Sequence, residues 1–143
     1  MRSCDTNILF YAFHRGCPEY QVAQRYLQER ADDPEFLICE LVLIELYVLL
    51  RNPRLVDRPL SAAAATDYCQ ALRSNPSWGI IDYPGDPMDQ VWKLSRERGF
   101  SYREIFDARL AVTLLHHGVS EFATRNTSHF ERYGFEELTN PFD

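Results

Sequence analysis

A chain of 143 residues with 45% hydrophobic, 13% aromatic and 25% charged side chains is sized and composed for one packed domain, residues 1–143, and is too apolar for a disordered segment. Its 15 basic and 21 acidic residues leave a formal net charge of -6, which excludes a protein that gathers nucleic acid through a global positive field.

The first segment reads as a short strand ending at Asp5, and Thr6-Asn7 turns it into a short helix over Ile8 to Phe13. Beyond the Gly16-Cys17-Pro18 break, Val22, Tyr26 and Leu27 recur with helical spacing on a Gln/Arg/Glu background. Phe36 to Cys39 reads as a buried strand, and Glu40 to Arg51 as a helix stopped by Asn52-Pro53. After a loop from Arg54 to Pro59, Ser61 caps an alanine-rich helix that runs to about Ser74, where Asn75-Pro76 ends it. Trp78 to Asp82 is the next strand, Pro84 to Pro87 a loop, and Met88 to Arg98 a helix closed by Gly99. Ser101-Tyr102-Arg103-Glu104 has the pattern of a capping box, opening a helix that carries Ile105, Phe106, Leu110, Val112, Leu114 and Leu115 before His116-His117-Gly118. Glu121 to Thr124 and Phe135 to Leu138 are short strands near the carboxyl terminus. Short apolar strands alternating with helices predict an α/β sandwich on a mainly parallel sheet, whose chemistry gathers at the carboxyl ends of its strands.

Cys4, Cys17, Cys39 and Cys69 include no C-x-x-C pair, as expected of reduced thiols. Met1-Arg2-Ser3-Cys4-Asp5 meets a carboxylate before any apolar signal region, and no stretch reaches the ~20 apolar residues of a membrane span. A soluble, cytoplasmic protein without a membrane partner is expected.

Three acids resist a purely structural explanation. Glu45 sits in the middle of a helix that is apolar nearly all round and so is expected to be enclosed; a carboxylate there needs a cation, a proton or a solvent-filled cleft. Its structural alternative is an ion pair with Arg51 or Arg103. Asp5, at a strand end, points toward the crevice of such a fold, its alternative being an N-cap for the first helix. Asp107 is expected two turns into a helix already capped by Ser101, which leaves a pair with Arg103 as its structural competitor. Carboxylates gathered in one cleft repel, and Mg²⁺ or Mn²⁺ relieves that repulsion while keeping positions for water and phosphate. Such an ion can activate water and neutralise charge on a phosphodiester.

In this order along the chain, Cys4-Asp5-Thr6-Asn7-Ile8-Leu9, Leu43-Ile44-Glu45-Leu46 with the trailing Arg51-Asn52-Pro53, Asp107-Ala108-Arg109-Leu110-Ala111, and Thr124-Arg125-Asn126 ahead of Phe130 resemble the PIN-domain ribonucleases. More closely, the chain resembles the VapC-type toxins of bacterial toxin–antitoxin pairs, from residue 1 to Pro141-Phe142. The resemblance implies a three-layer α/β/α sandwich with a mainly parallel sheet and an endoribonuclease dependent on Mg²⁺ or Mn²⁺. It implies Asp5 and Asp107 as principal metal ligands and Glu45 as a further ligand or the group orienting the attacking water. Thr6 and Asn7 would support Asp5, and Thr124 would line the same end of the sheet. A homodimer and a small VapB-like antitoxin, whose carboxyl-terminal segment fills the cleft, are the implied partners beside the RNA substrate.

The family commonly carries a fourth acid where this chain has Asn126, and often another at His129. Asn126 keeps a carbonyl ligand but loses one negative charge; Glu131 is a substitute acid or a solvated charge, and His129 a ligand, an acid or neither. Arg103 and Arg125 are candidate phosphate contacts or counter-ions of the carboxylates, and Arg109 reads as a solvated charge. Phe10, Tyr11, Phe13, Tyr20 and Tyr26 offer a contact surface for the antitoxin or simply pack on the sheet, and Trp78 and Trp92 stack bases or belong to the core. Two competing functions remain: a PIN-like domain that binds RNA or a partner but cuts poorly, and a phosphohydrolase with Asp5 as nucleophile. The second wants a neighbouring Asp and an active-site lysine, whereas Asp5 is followed by Thr6-Asn7 and Lys93 is the only lysine.

Overall fold

Strand β1 (Arg2–Cys4) runs through the middle of the sheet and leads at Asp5 directly into helix α1 (Thr6–Phe13). There follow α2 (Tyr20–Gln28), β2 (Leu37–Cys39), α3 (Glu40–Leu50), α4 (Ala62–Arg73), β3 (Gly79–Ile81), α5 (Pro87–Ser95), α6 (Glu104–His116), β4 (Glu121–Ala123), two single 3-10 turns and β5 (Glu137–Thr139). The structure is a computed structural model and describes residues 1–83 and 87–143. The loop expected at Pro84 to Pro87 lies outside the described residues, save that Pro87 is the first residue of α5, where its missing N–H costs nothing.

All strand pairs are parallel. β1 pairs with β4 in the register Arg2–Glu121, Ser3–Phe122, Cys4–Ala123; β4 pairs with β5, and β2 with β3. A parallel bridge between Arg2 and Phe36 joins the two sets, so the strand order across the molecule is β3-β2-β1-β4-β5. Gly79 lets the Leu37 side chain lie over β3 where β3 pairs with β2, since a Cβ there would force the Leu37 Cδ2 methyl to shift.

The strands are short and apolar because helices cover both faces, which gives a three-layer α/β/α sandwich. The core gathers Ile8 and Leu9 of α1, Leu46 and Leu50 of α3, Leu110 and Leu114 of α6, and Phe122 and Phe130 around the strands. α6 also turns Ala108 and Val112 toward Val91 of α5. Ser61 caps α4 as expected, its Oγ accepting from the Ala64 N–H at 3.1 Å. α5 ends at Ser95 rather than Arg98, and Gly99 takes the left-handed conformation four residues later.

The early aromatics mostly pack inward. Phe10 and Tyr26 are buried, Phe13 meets Tyr68 edge-on at 5.0 Å, and Tyr11 meets Phe142 at 5.3 Å. Trp78 stays inside, its indole N–H donating to the Arg30 carbonyl at 2.7 Å, whereas Trp92 is exposed. All four cysteines are free. Among the described residues no helix is long and apolar enough to cross a membrane.

Candidate active site

Strand order reverses between β1 and β4, and in an open parallel sheet the crevice forms beyond the carboxyl ends of such a pair. Asp5 and Thr124 are the residues that leave β1 and β4 there. The Asp5 N–H still donates to the Ala123 carbonyl at 2.9 Å, so both chains are held to the last rung. Asp5 then caps α1, its Oδ1 accepting from the Thr6 N–H at 2.8 Å. The cap occupies one oxygen only: the buried Thr124 hydroxyl donates to Oδ2 at 2.8 Å, and Asn7 Nδ2 stands 3.5 Å from the same oxygen.

Glu45 joins them through Thr6. The Thr6 hydroxyl, buried under α3, donates to Glu45 Oε2 at 2.8 Å, so one residue orients two carboxylates, Asp5 with its backbone and Glu45 with its side chain. The ion pairs offered as structural alternatives are not made: Arg51 donates to Tyr47 Oη at 2.9 Å, and Arg103 to Tyr102 Oη at 3.0 Å. Nor is α3 enclosed, as its composition suggests. Ile44 and Val48 are exposed, because the neighbouring elements leave one face of α3 open, and Glu45 lies half-buried beside that face.

Asp107 arrives differently from expectation. Only half of the capping box forms, the Ser101 N–H donating to Glu104 Oε2 at 3.3 Å, and α6 starts at Glu104 with Arg103 before it. Asp107 therefore lies in the first turn, where the helix dipole favours a negative charge. Its partner is His129, whose Nδ1 is 3.5 Å from Asp107 Oδ2, and not Arg103. Nothing in the sequence signals this pairing beyond the nearness of His129 to the Thr124-Arg125-Asn126 segment.

The electrostatics follow from three acids without a permanent cation. Burial pushes the Asp5 carboxyl above the ordinary range, against the hydrogen bonds from Thr124 and Thr6. Glu45 is raised by burial first and then by the fields of Asp5 and Asp107, against the Thr6 hydroxyl. Asp107 is pushed up to about 6, chiefly by burial and then by Asp5, with His129 opposing. This is the signature of a site short of positive charge. Among the described residues no three acid, His or Cys side chains close into a finished cage. What stands at the crevice is a set of hard oxygen donors, which suits an ion that takes one or two carboxylates and keeps much of its water.

The surrounding residues divide. The Asn126 N–H donates to Thr124 Oγ1 at 3.1 Å while its side chain is exposed, and Glu131 is a solvated charge. Arg125 is engaged: its guanidinium pairs with Glu19 and lies 5.3 Å from the Tyr11 ring and 5.6 Å from that of Phe142, and its N–H donates to Asn7 Oδ1 at 3.3 Å. Arg103 is exposed over the Tyr102 ring, and Arg109 lies over that of Tyr83 rather than standing solvated.

The PIN domain family model matches residues 3–136. Over 141 residues, 99% of this chain and 97% of the relative, the sequence is 48% identical to Ribonuclease VapC24 of Mycobacterium tuberculosis. Among solved structures, VapBC2 from Rickettsia felis bound to a promoter DNA fragment superimposes with a TM-score of 0.68 at 18% identity, covering 97% of each chain. A toxin–antitoxin complex from Klebsiella pneumoniae does so at 0.64 and 23% identity, covering 100% of this chain and 99% of that one. The sarcin-ricin-loop-cleaving toxin VapC20 of M. tuberculosis gives 0.63 at 20% identity over 85% of this chain and 87% of its own.

Proposed function

The chain belongs to the PIN-domain family, and we propose that it acts as one PIN-like unit over residues 1–143, an endoribonuclease of the VapC type that hydrolyses RNA phosphodiester bonds. The observation that carries the reading is the convergence of Asp5, Glu45 and Asp107 on the β1–β4 crevice, with no arginine or lysine paired to any of them among the described residues. Asp5 and Asp107 would hold Mg²⁺ or Mn²⁺, with Glu45 and the Asn126 carbonyl as further oxygens. When bound, the ion supplies a Lewis acid that offsets the charge on the phosphodiester and makes water a better nucleophile.

The protein's own residues supply orientation and a proton acceptor. Thr124 and Thr6 fix the Asp5 carboxylate from two sides, and Asn7 holds both Thr124 and the Arg125 backbone. Glu45 is either such a ligand or the group that orients the attacking water; in the second role, with Thr6 on Oε2, its raised pKa suits it to accept the proton of that water at Oε1. Arg103, exposed and bonded to the neighbouring Tyr102 hydroxyl, is the candidate phosphate contact with no acid to give up among the described residues; Arg125, held by Glu19, would reach one only by giving up that pair. In this reading the partners are RNA, a cognate VapB-like antitoxin and a second copy of the chain, in the cytoplasm.

The test is cleavage of a total-RNA pool by purified, antitoxin-free protein with Mg²⁺, with Mn²⁺ and with EDTA, beside Asp5→Asn and Asp107→Asn. Defined fragments only with metal, absent in both variants, are expected. Identical behaviour in every condition would leave a PIN-like binding domain disabled at Asn126.

A further inference from the structure

His129 lies beside the crevice with a side chain that the core does not use. Its N–H closes a single 3-10 turn, Thr127–His129, on the Asn126 carbonyl at 3.0 Å. The next residue anchors that turn, for Phe130 is buried with its ring 4.9 Å from that of Phe122. The backbone of His129 is thereby fixed while its imidazole is 58% exposed. Nδ1 faces Asp107 Oδ2 at 3.5 Å, beyond the roughly 2.7–3.2 Å of a well-made N–H···O bond, and among the described residues no other side chain bonds to the ring. The field of the same ring reaches Asp5 as well as Asp107. A nitrogen donor thus stands beside both carboxylates without a firm partner of its own.

We infer that His129 is a nitrogen ligand of the divalent-cation site, binding beside Asp107 and turning the preference of the site from Mg²⁺ toward Mn²⁺ and Co²⁺. The inference rests on the proposed reading of Asp5 and Asp107 as the carboxylates that hold the ion, and it adds a donor of different chemistry to that set. Two neighbouring donors on an octahedral ion with bonds of about 2.1 Å lie about 3 Å apart, so Nδ1 and Oδ2, facing each other at 3.5 Å, need close by only about half an ångström to share one. Mg²⁺ takes oxygen ligands and gives up its water reluctantly, so an imidazole adds little to its binding. First-row transition metals accept imidazole readily, and their affinity for such a site rises from Mn²⁺ to Co²⁺. The competing account is a bare His–Asp ion pair, which at this separation and exposure contributes little to the fold.

The test reads the ligands of the ion directly, without RNA. Mn²⁺ added below stoichiometry to the wild-type protein should show nitrogen modulation in its electron spin echo. His129→Gln should abolish that modulation while the melting temperature of metal-free protein stays the same, since the side chain is exposed. By titration calorimetry, His129→Gln should weaken Mn²⁺ and Co²⁺ at least about 10-fold, the scale on which even an outer-shell contact acts, and leave Mg²⁺ almost unchanged. His129→Asp should bring the Mg²⁺ and Mn²⁺ affinities closer together. Bound Mn²⁺ without nitrogen modulation would overturn the assignment, as would modulation that survives His129→Gln or Asp5→Asn. So would an equal loss of Mg²⁺ and Mn²⁺ affinity in His129→Gln, which would leave His129 as a contact that orients Asp107. A nitrogen signal that depends on His129 in a protein that cuts no RNA would sink the ribonuclease reading and keep the ligand; metal-dependent cleavage by a protein whose Mn²⁺ shows no nitrogen would do the reverse.

Discussion

At the amino-terminal edge of the β1–β4 pair, Arg2 donates to Glu121 at 2.9 Å and Asp33 at 3.1 Å and lies 3.4 Å from Glu35. Three acids there share a cation that belongs to the chain. At the carboxyl edge of the same pair, Asp5, Glu45 and Asp107 also converge, and among the described residues the ionisable side chain paired with any of them is the imidazole of His129, whose charge is not permanent. The first edge has a counter-ion of its own on folding, while on the proposed reading the second would receive one only when a cation comes from outside. The contrast is the one expected between a structural ion cluster and the proposed functional one, although each edge gathers three acids.

The sharpest break of this contrast is to neutralise an acid at the carboxyl edge. Asp5→Asn or Asp107→Asn should cut metal-dependent cleavage at least about 100-fold, since each removes a charged ligand rather than a supporting contact. The same variants should hold or raise the melting temperature of metal-free protein at pH 7.5, because the carboxylates they replace are ionised against the cost of burial and mutual repulsion. A variant that melts lower yet still cuts would show the carboxyl edge to be structural after all.

Adding the missing cation should then stabilise one edge alone. Mn²⁺ at about 100 times its Kd contributes about 2.7 kcal/mol, roughly 5–10 °C in melting temperature for a chain of this size. Asp5→Asn should show little of that rise. Equal rises in both proteins would place the ion elsewhere.

The proton can stand in for the metal, and the sign follows from the direction of the shift. A carboxyl whose folded pKa is raised favours its neutral form, so its contribution is fully present below the ordinary carboxyl range and is lost as pH rises through the folded value. For Asp107 that value is about 6. In metal-free protein, the melting temperature of Asp107→Asn minus that of wild type should be near zero at pH 4 and grow by pH 7. A difference that stays flat would mean Asp107 carries no unmet charge.

The two edges were not equally legible in the sequence. Asp5 could be placed because a strand end followed by Thr6-Asn7 is a local signal, and Ser61 because capping is local too. The Thr6–Glu45 bond spans 39 positions and the Thr124–Asp5 bond 119, and no periodicity reports such meetings. The openness of α3 was missed because an all-round apolar helix looks enclosed until one knows which neighbours cover it. The capping pattern at Ser101 set α6 too early, since Ser101 and Glu104 make only one of its two bonds, and that error hid the helix dipole from Asp107.

The smallest effect belongs to the amino-terminal edge, and it tests the comparison from the other side. Arg2→Gln should lower the melting temperature modestly and leave cleavage unchanged, because the site lies at the opposite end of β1 and draws on none of the Arg2 contacts. The loss should shrink in high salt, as expected of charges that stand half in solvent. It should also be insensitive to Mn²⁺, since the ion acts at the other edge. Were Mn²⁺ to rescue the stability of Arg2→Gln more than that of wild type, the acids released at the amino edge would themselves have become a cation site, and position in the sheet would matter less than the simple count of unpaired carboxylates.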